Sequence, residues 1–239
     1  MESFNLKLAG VVIGVSCQYN STKEYCRGYI TDAAPCFSVS VSSEDIEAEK
    51  DYFSEERSPG YLEKLALYRK ICEGLVDYGI FLLHGSAVAV DGEVYIFVAP
   101  SGTGKSTHTS LWRKLLVPLG HEVVMVNDDK PLIRVADGSV FACGTPWNGA
   151  HHLSENVSLP VKAICVLERG TNNCIAEITS AQAFAALYRF SYRPKDSRSI
   201  DLVLGMLEEV IRCVRFYRLK CDISTDAAQK SYNMMKQGD

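Results

Sequence analysis

The strongest constraint on this sequence is a short glycine-rich segment between a predicted strand and a predicted helix. Its members are Ser101, Gly102, Thr103, Gly104, Lys105, Ser106 and Thr107. Glycines remove side chains, so that successive backbone N–H groups can converge on phosphate oxygens, and the start of the following helix adds a partial positive charge. The segment therefore predicts a site that binds an anionic phosphate chain.

Two residues of this segment define the expected ligand more closely. Lys105 supplies a mobile point charge for the β- and γ-phosphates of a nucleotide, and the hydroxyl of Ser106 is the kind of small oxygen ligand that Mg²⁺ prefers. The pattern thus predicts ATP and Mg²⁺ as cofactors. It departs from the usual motif at Ala99, since the position six before the lysine is normally glycine. A chance glycine-rich turn is the competing explanation, but it leaves the flanking strand and helix unexplained.

An acidic pair follows one predicted helix later. That helix covers residues 105–116, and the apolar strand 123–126 leads into Asn127, Asp128 and Asp129. A strand that ends in carboxylates beside a phosphate loop supplies a metal ligand and a proton acceptor for phosphoryl transfer. We assign Asp129 to the metal and Asp128 to the base. The alternative is a solvated turn whose acids only cap the strand end.

The order of elements predicts an α/β fold with a mixed β-sheet, flanking helices and a β-hairpin ahead of the phosphate loop. Asp91-Gly92 suits the tight turn of a hairpin between strands 87–90 and 94–98, and Asp137-Gly138 predicts a second hairpin. Thr179 and Gln182 form a capping box at the start of a further helix. Apolar residues recur at helical spacing from 200 to 214 and predict a long helix there.

A change in composition near residue 57 predicts two parts. Strand-like runs at 11–15 and 37–41 indicate a small β-rich subdomain over residues 1–57. A charged stretch and the Ser-Pro-Gly sequence at 58–60 interrupt the chain before an amphipathic helix. We therefore expect a P-loop kinase domain over residues 58–239.

Charge and cysteine content restrict the partners. The formal net charge of −4, from 25 basic and 29 acidic side chains spread along the chain, disfavours a nucleic-acid partner. No apolar run reaches the roughly 20 residues that a membrane-spanning helix needs, so no membrane partner is expected. The nine cysteines include no Cys-x-x-Cys pair, and the first residues do not resemble a leader peptide; together these predict free thiols and a cytoplasmic location.

From Leu82 to Glu168 these motifs resemble the catalytic domain of HPr kinase/phosphorylase and, more distantly, phosphoenolpyruvate carboxykinase. The likeness rests on His84-Gly85, the hairpin, the phosphate loop, Asn127 to Asp129 and residues 144–147. The resemblance implies a kinase in which His84 lies close to the transferred phosphate and Glu155 lies near the metal. Without it, His84 reads more simply as a satisfied strand-end histidine.

The acceptor is the least defined part of the prediction. Residues 155–160 lack the glycine- and arginine-containing signature of HPr kinases, and related kinases without it act on free serine or on a serine of a peptide. We therefore expect an ATP-dependent kinase that phosphorylates a hydroxyl, with a nucleotide-sensing module as the alternative and a homo-oligomer compatible with either. Arg212, Arg215 and Arg218 could bind an acidic acceptor, but the outer face of the long helix is the simpler place for them.

Overall fold

The computed structural model describes residues 2–237, and its chain forms two compact units. The first unit ends at Tyr78 and the second begins at Gly79. Both contain a β-sheet with helices, so the α/β class expected from the sequence is confirmed. Within the described residues, no helix is both long and apolar enough to cross a membrane.

The first unit combines a four-stranded sheet, in the order β3-β1-β2-β4, with three α-helices. Its elements are β1 (Glu2–Leu8), β2 (Val11–Cys17), α1 (Asn20–Tyr25), β3 (Ile30–Thr31), β4 (Phe37–Ser40), α2 (Ser43–Glu49) and α3 (Pro59–Leu75). The unit is thus less purely β than expected. It also extends beyond the expected boundary at residue 57, because α3 packs against α2, β2 and β4 instead of starting the next unit.

A buried carboxylate fixes α3 within this unit. Glu63 is fully buried on α3 and accepts hydrogen bonds from the backbone N–H groups of Gln18 and Tyr19 and from the hydroxyl of Thr22. These three donors lie around the start of α1, where backbone N–H groups lack partners within the helix. The carboxylate therefore joins α3 to the turn that begins α1.

The second unit is built on a nine-stranded mixed sheet. Its strands are β5 (Ile80–Leu82), β6 (Ser86–Val90), β7 (Glu93–Val98), β8 (Val123–Asn127), β9 (Leu132–Ala136), β10 (Ser139–Cys143), β11 (Ser158–Arg169), β12 (Cys174–Glu177) and β13 (Arg215–Cys221). Its helices are α4 (Lys105–Leu116), α5 (Ser180–Phe190), α6 (Ser197–Cys213) and α7 (Thr225–Met235).

The strands that carry the phosphate loop and the acidic pair lie close together in this sheet. The main order is β12-β13-β11-β7-β6-β8, in which β11 runs parallel to β7 and β13, and the other neighbours are antiparallel. Strands β5, β9 and β10 join at the start of β11. Only β6 separates β7, which leads into the loop, from β8, which leads into the acids. Because both strands pair antiparallel with β6, they run in the same direction and bring their functional residues to the same end of the sheet.

Both predicted hairpins are confirmed, and both turns place two residues at positive φ. Asp91 and Gly92 join β6 to β7 with φ angles of 52° and 87°, and Asp137 and Gly138 join β9 to β10 with 50° and 71°. Two consecutive positive φ angles define the tight turn that matches the twist of paired strands, and Asp-Gly tolerates them. The hairpin ahead of the loop thus follows from local turn chemistry.

The expected helical continuation through Arg215 and Arg218 is wrong. Helix α6 ends at Cys213, Val214 is extended, and both arginines lie in β13. Strand β13 pairs with β11 from Ala163 to Arg169, beside the centre of the sheet. Apolar and basic residues alternate along most of β13, as expected for a strand with one buried and one exposed face. The two-residue period of a strand therefore replaces the helical period after Val214.

A small polar network holds α4 against α7. Ser231 donates its hydroxyl proton to the carbonyl of Ala228, and the same oxygen accepts a bond of 2.8 Å from Trp112 Nε1. His108 Nε2 lies 2.9 Å from this hydroxyl and therefore donates to it. All three side chains are buried, and burial lowers the pKa of His108 from 6.5 to about 4. His108 is accordingly neutral in the folded protein.

This buried histidine makes the stability of the second unit depend on pH. Between pH 6.5 and about 4 the unfolded chain binds a proton at His108 that the folded chain does not, so the free energy of unfolding falls as the pH falls. At about pH 4.5 the loss expected from this group is about 2 kcal/mol. Urea unfolding followed by tryptophan fluorescence at neutral and acidic pH measures it. His108→Gln keeps a donor for Ser231 and is expected to lose less stability on acidification; equal losses would contradict the prediction.

Candidate functional site

The glycine-rich loop connects β7 to α4 and has a backbone that favours glycine at two positions. Gly102 has a φ of 76° and Gly104 has a φ of 121°. A Cβ at either position would meet no heavy atom within 4 Å, so the requirement comes from the backbone angles and not from crowding. Helix α4 begins directly after Gly104, at Lys105. The N–H groups of its first turn are thus available at the same place as those of the loop.

Replacing Gly104 tests how far this backbone shape matters. Gly104→Ala is expected to cost about 1 to 3 kcal/mol of strain or to move the loop, and either outcome weakens phosphate binding. Gly205 is a matched control because it lies exposed within α6, where alanine favours the helix. Calorimetric titration with a nucleotide is expected to show weaker binding for Gly104→Ala alone. Equal affinities in the two variants would argue against a loop that depends on this conformation.

Lys105 points back across the loop. Its Nζ atom lies 2.9 Å from the carbonyl oxygen of Ala99 and 3.0 Å from Nε2 of His84. Burial lowers the pKa of Lys105, while the charges of Asp129 and Asp128 raise it. Ala99 meets the lysine through its backbone and its side chain is fully buried, so alanine is accommodated where the motif usually has glycine.

His84 follows β5 and lies between the lysine and the acidic pair. Its Nε2 atom is 3.0 Å from Lys105 Nζ and 3.6 Å from Oδ1 of Asp129. Burial lowers the pKa of His84, and the charge of Lys105 lowers it further. A neutral imidazole nitrogen without a proton can accept the hydrogen bond that the ammonium group donates.

The first carboxylate of the acidic pair belongs to a buried hydroxyl chain. Asp128 is 5% exposed and its Oδ1 accepts a bond of 2.6 Å from Ser86 Oγ. Ser86 Oγ lies 3.0 Å from Thr109 Oγ1 on α4, and Thr109 Oγ1 lies 3.2 Å from the carbonyl oxygen of Ser106. These contacts place Asp128 on the side of the site where α4 begins.

The second carboxylate faces a different set of partners. Asp129 Oδ1 is the atom near His84, and its Oδ2 forms an ion pair of 2.5 Å with Lys130. Gly149 passes close by, since a Cβ there would lie 3.0 Å from the Cβ of Asp129. The backbone carbonyl of Asp129 accepts a hydrogen bond from the N–H of Gly85. Asp129 therefore lies towards His84 and the 149–151 loop, away from the Ser86 network.

One amide side chain shapes the turn that carries both acids. Asn127 is fully buried, and its Oδ1 accepts hydrogen bonds from the backbone N–H groups of Asp129 (2.9 Å) and Lys130 (2.6 Å). Its Nδ2 donates to the carbonyl and the hydroxyl of Thr145 and to the carbonyl of Trp147. Asn127 thus holds the acidic turn and the 145–147 turn together.

These groups share one cavity of about 310 Å³. Its lining contains nine residues selected from the sequence, namely His84, Ser101, Gly102, Gly104, Lys105, Ser106, Thr107, Asp128 and Asp129. Glu155 is not among them: it is exposed and lines a separate groove with Arg113 and Met125. His151 also lines the cavity, although it was not selected from the sequence. Nothing in the sequence places His151 there, because its position follows from the close approach of Gly149 to Asp129 in the folded chain.

A second cleft of about 420 Å³ lies on the other side of the loop. It shares Gly102, Gly104 and Thr107 with the first cavity and also contains Thr103. Arg169 lines it and donates hydrogen bonds to the carbonyls of Gly102 and Thr103. Ile223 presents an apolar side chain there that is 78% exposed. The two spaces therefore border the same loop at the start of α4.

Comparisons with known proteins add nothing to this geometry. No protein-family model matches the chain, and no curated protein matches it significantly. A functional assignment has to come from the site itself.

The donor set fits magnesium better than a metal with several protein ligands. Within residues 2–237, no group of three or more His, Cys, Asp or Glu side chains is arranged to hold a metal ion. Mg²⁺ normally takes only one or two protein oxygens and completes its shell with water and phosphate. The Ser106 hydroxyl and the second oxygen of Asp128 are oxygen donors of that kind in this cavity.

Proposed function

We propose that this protein is a phosphotransferase that transfers the γ-phosphoryl group of a nucleoside triphosphate, with Mg²⁺, to a hydroxyl group. The observation that carries the proposal is the shared cavity, in which a glycine loop with positive φ angles and Lys105 face Asp128, Asp129 and His84. A phosphate cradle explains the loop and the lysine. The carboxylates opposite it are what a transfer reaction requires beyond binding.

The phosphates would lie over the start of α4. The N–H groups of the loop and the positive end of the helix favour an anionic chain there. Lys105 is available to the β- and γ-phosphates once it leaves its contacts with Ala99 and His84. Burial lowers the pKa of Lys105, whereas the negative charge of a nearby phosphate would raise this pKa and so favour the ammonium form.

The second cleft supports a nucleotide in preference to a smaller phosphate. A chain of phosphates that starts in the first cavity would pass Thr107 and leave the nucleoside between Leu111, Arg169 and Ile223. The exposed side chain of Ile223 would offer an apolar surface to the base, and the cleft is within the size range of small-molecule sites. Arg169 would act on the loop itself, because its hydrogen bonds restrain the carbonyls of Gly102 and Thr103.

The contacts of the two acids favour roles opposite to those inferred from the sequence. Asp128 is tied through Ser86 and Thr109 to the start of α4, which is where Ser106 would hold Mg²⁺. Asp129 lies towards His84 and the 149–151 loop and lines the cavity from that side, which is where we place the acceptor. We therefore assign Asp128 to the metal side and Asp129 to the acceptor side. Glu155 has no part in this proposal.

The proposed reaction is an in-line displacement. The acceptor oxygen forms a bond to the γ-phosphorus, the bond from this phosphorus to the β–γ bridging oxygen breaks, and the hydroxyl proton passes to Asp129. A nucleoside diphosphate leaves with the electron pair of the broken bond. Lys105 and the loop N–H groups stabilise the charge on the phosphates. Bound Mg²⁺ would supply further positive charge at the β- and γ-oxygens.

Labelled ATP tests the proposal directly. The protein is incubated with γ-labelled ATP, Mg²⁺ and either free serine, serine peptides or threonine peptides, and transfer is compared with release of free phosphate. We expect label on an acceptor hydroxyl at a rate above that of hydrolysis. Binding of ATP without transfer or hydrolysis would favour the nucleotide-sensing module. Failure to bind any nucleotide would remove the proposed function altogether.

A further inference from the structure

The segment of residues 189–195, which we call the basic segment, leaves helix α5 directly beside His84. The N–H of His84 donates a hydrogen bond of 2.8 Å to the carbonyl of Phe190, and the N–H of Tyr192 donates one of 2.9 Å to the carbonyl of Leu82. Between them, Leu83 and Ser191 form an antiparallel bridge. The basic segment thus runs alongside the short stretch of chain that brings His84 to the cavity.

Three cations of the basic segment are exposed. They are Arg189, Arg193 and Lys195, and within the described chain none of them forms an ion pair. The nearest acid along the chain, Asp196, is engaged in capping α6 through the N–H of Ser199. By contrast, Lys130 inside the site is paired with Asp129. The basic segment is therefore a local concentration of positive charge on a chain whose net charge is −4.

Aromatic rings restrain two of these cations. The guanidinium of Arg193 lies 4.7 Å from the centre of the Tyr188 ring and also donates to the carbonyl of Tyr188. The guanidinium of Arg189 lies 5.4 Å from the centre of the Phe190 ring. A restrained guanidinium loses less conformational freedom when it binds a carboxylate, and its planar fork can bind both carboxylate oxygens. The segment is thus better prepared for binding than three free lysines would be.

We propose that the basic segment binds acidic residues of a peptide or protein acceptor and so brings a neighbouring serine or threonine hydroxyl to Asp129. This inference rests on the proposed phosphotransferase function and specifies its substrate class. The part of the basic segment that follows α5, residues 191–195, can span farther than a free amino acid, because a non-helical chain advances up to about 3.3 Å per residue. A nucleic acid is disfavoured by the negative net charge, whereas carboxylates complement the three cations.

Matched peptides provide the test. Two fluorescein-labelled peptides carry one serine each, flanked in one by glutamate and aspartate and in the other by glutamine and asparagine. Phosphorylation with MgATP gives kcat/KM, and fluorescence anisotropy with a non-hydrolysable ATP analogue gives affinity. We expect about a tenfold preference for the acidic peptide in both measurements, falling as salt is added.

Variants then locate the preference. Arg189→Gln with Arg193→Gln and Lys195→Gln is expected to abolish it, and the double variant Arg189→Gln with Lys195→Gln, which leaves the Arg193 hydrogen bond intact, is expected to weaken it. A control removes the same charge from exposed lysines elsewhere in the second unit, through Lys114→Gln, Lys220→Gln and Lys236→Gln. It should keep the full preference.

Two results would overturn the inference. One is equal rates and affinities for the acidic and neutral peptides; the other is the same preference in the triple variant as in the unaltered protein. ATP binding, measured in every variant by calorimetry, separates this outcome from failure of the phosphotransferase proposal. If ATP binds and free serine is phosphorylated without any peptide preference, only the acceptor surface is refuted.

Discussion

Lys105→Met is expected to lower the rate of phosphotransfer by about a hundred- to a thousandfold, because it removes the positive charge that would face the β- and γ-phosphates. The folded protein should not become less stable. Burial lowers the pKa of Lys105, which means that its charge is disfavoured in the absence of nucleotide, and methionine is a long apolar side chain that fits a buried position.

Transfer of label from ATP and thermal unfolding measured on the same preparation separate these two effects. Lys114→Met is the matched control, since Lys114 lies exposed on the same helix, α4. The control should retain the full rate. A Lys105→Met variant with normal transfer would remove this lysine from the mechanism. A variant that transfers poorly only because it unfolds would show a lowered melting temperature.

Asparagine substitutions of the two acids are expected to give different kinetic defects. Asp129→Asn should lower kcat by about a hundred- to ten-thousandfold and leave nucleotide affinity nearly unchanged, because it removes the proton acceptor. Asp128→Asn should instead raise the Mg²⁺ concentration needed for half-maximal activity. Its Oδ1 contact with Ser86 can persist in the amide, so the fold around it should survive.

Steady-state rates at several Mg²⁺ concentrations, together with calorimetric binding of the nucleotide, distinguish these defects. Asp201→Asn on the exposed side of α6 removes the same charge far from the acidic turn in sequence and serves as the control. The reverse pattern, a Mg²⁺ defect in Asp129→Asn and a pure kcat defect in Asp128→Asn, would restore the roles inferred from the sequence.

Local chemistry explains most of what could be predicted. The Asp-Gly turns specify their hairpins because few residue pairs tolerate two positive φ angles, and the capping box of Thr179 and Gln182 forms at the start of α5 as expected. Helix α4 spans the predicted residues, 105 to 116. In each case the residues that give the signal are also the ones that make the contacts.

The errors share a different cause. Strand β13 was missed because the helical pattern ends only at Val214, and its pairing partner β11 lies about fifty residues earlier in the chain. Helix α3 was assigned to the wrong unit because its apolar face does not identify what it packs against. Likewise, the placement of His151 in the cavity and of Glu155 outside it depends on how the 149–155 segment folds back on the acidic turn. Such contacts between distant residues leave no local pattern.

Asn127 carries a consequence for how variation in this protein should be interpreted. This amide lines neither cavity, yet it accepts hydrogen bonds from the N–H groups of Asp129 and Lys130 and links this turn to Thr145 and Trp147. Changes in the 145–147 turn would therefore be expected to alter the proposed phosphotransfer without touching a substrate. A survey of natural variants that scores only the residues lining the cavity would classify such changes as neutral, and one that follows hydrogen bonds outward from Asn127 would not.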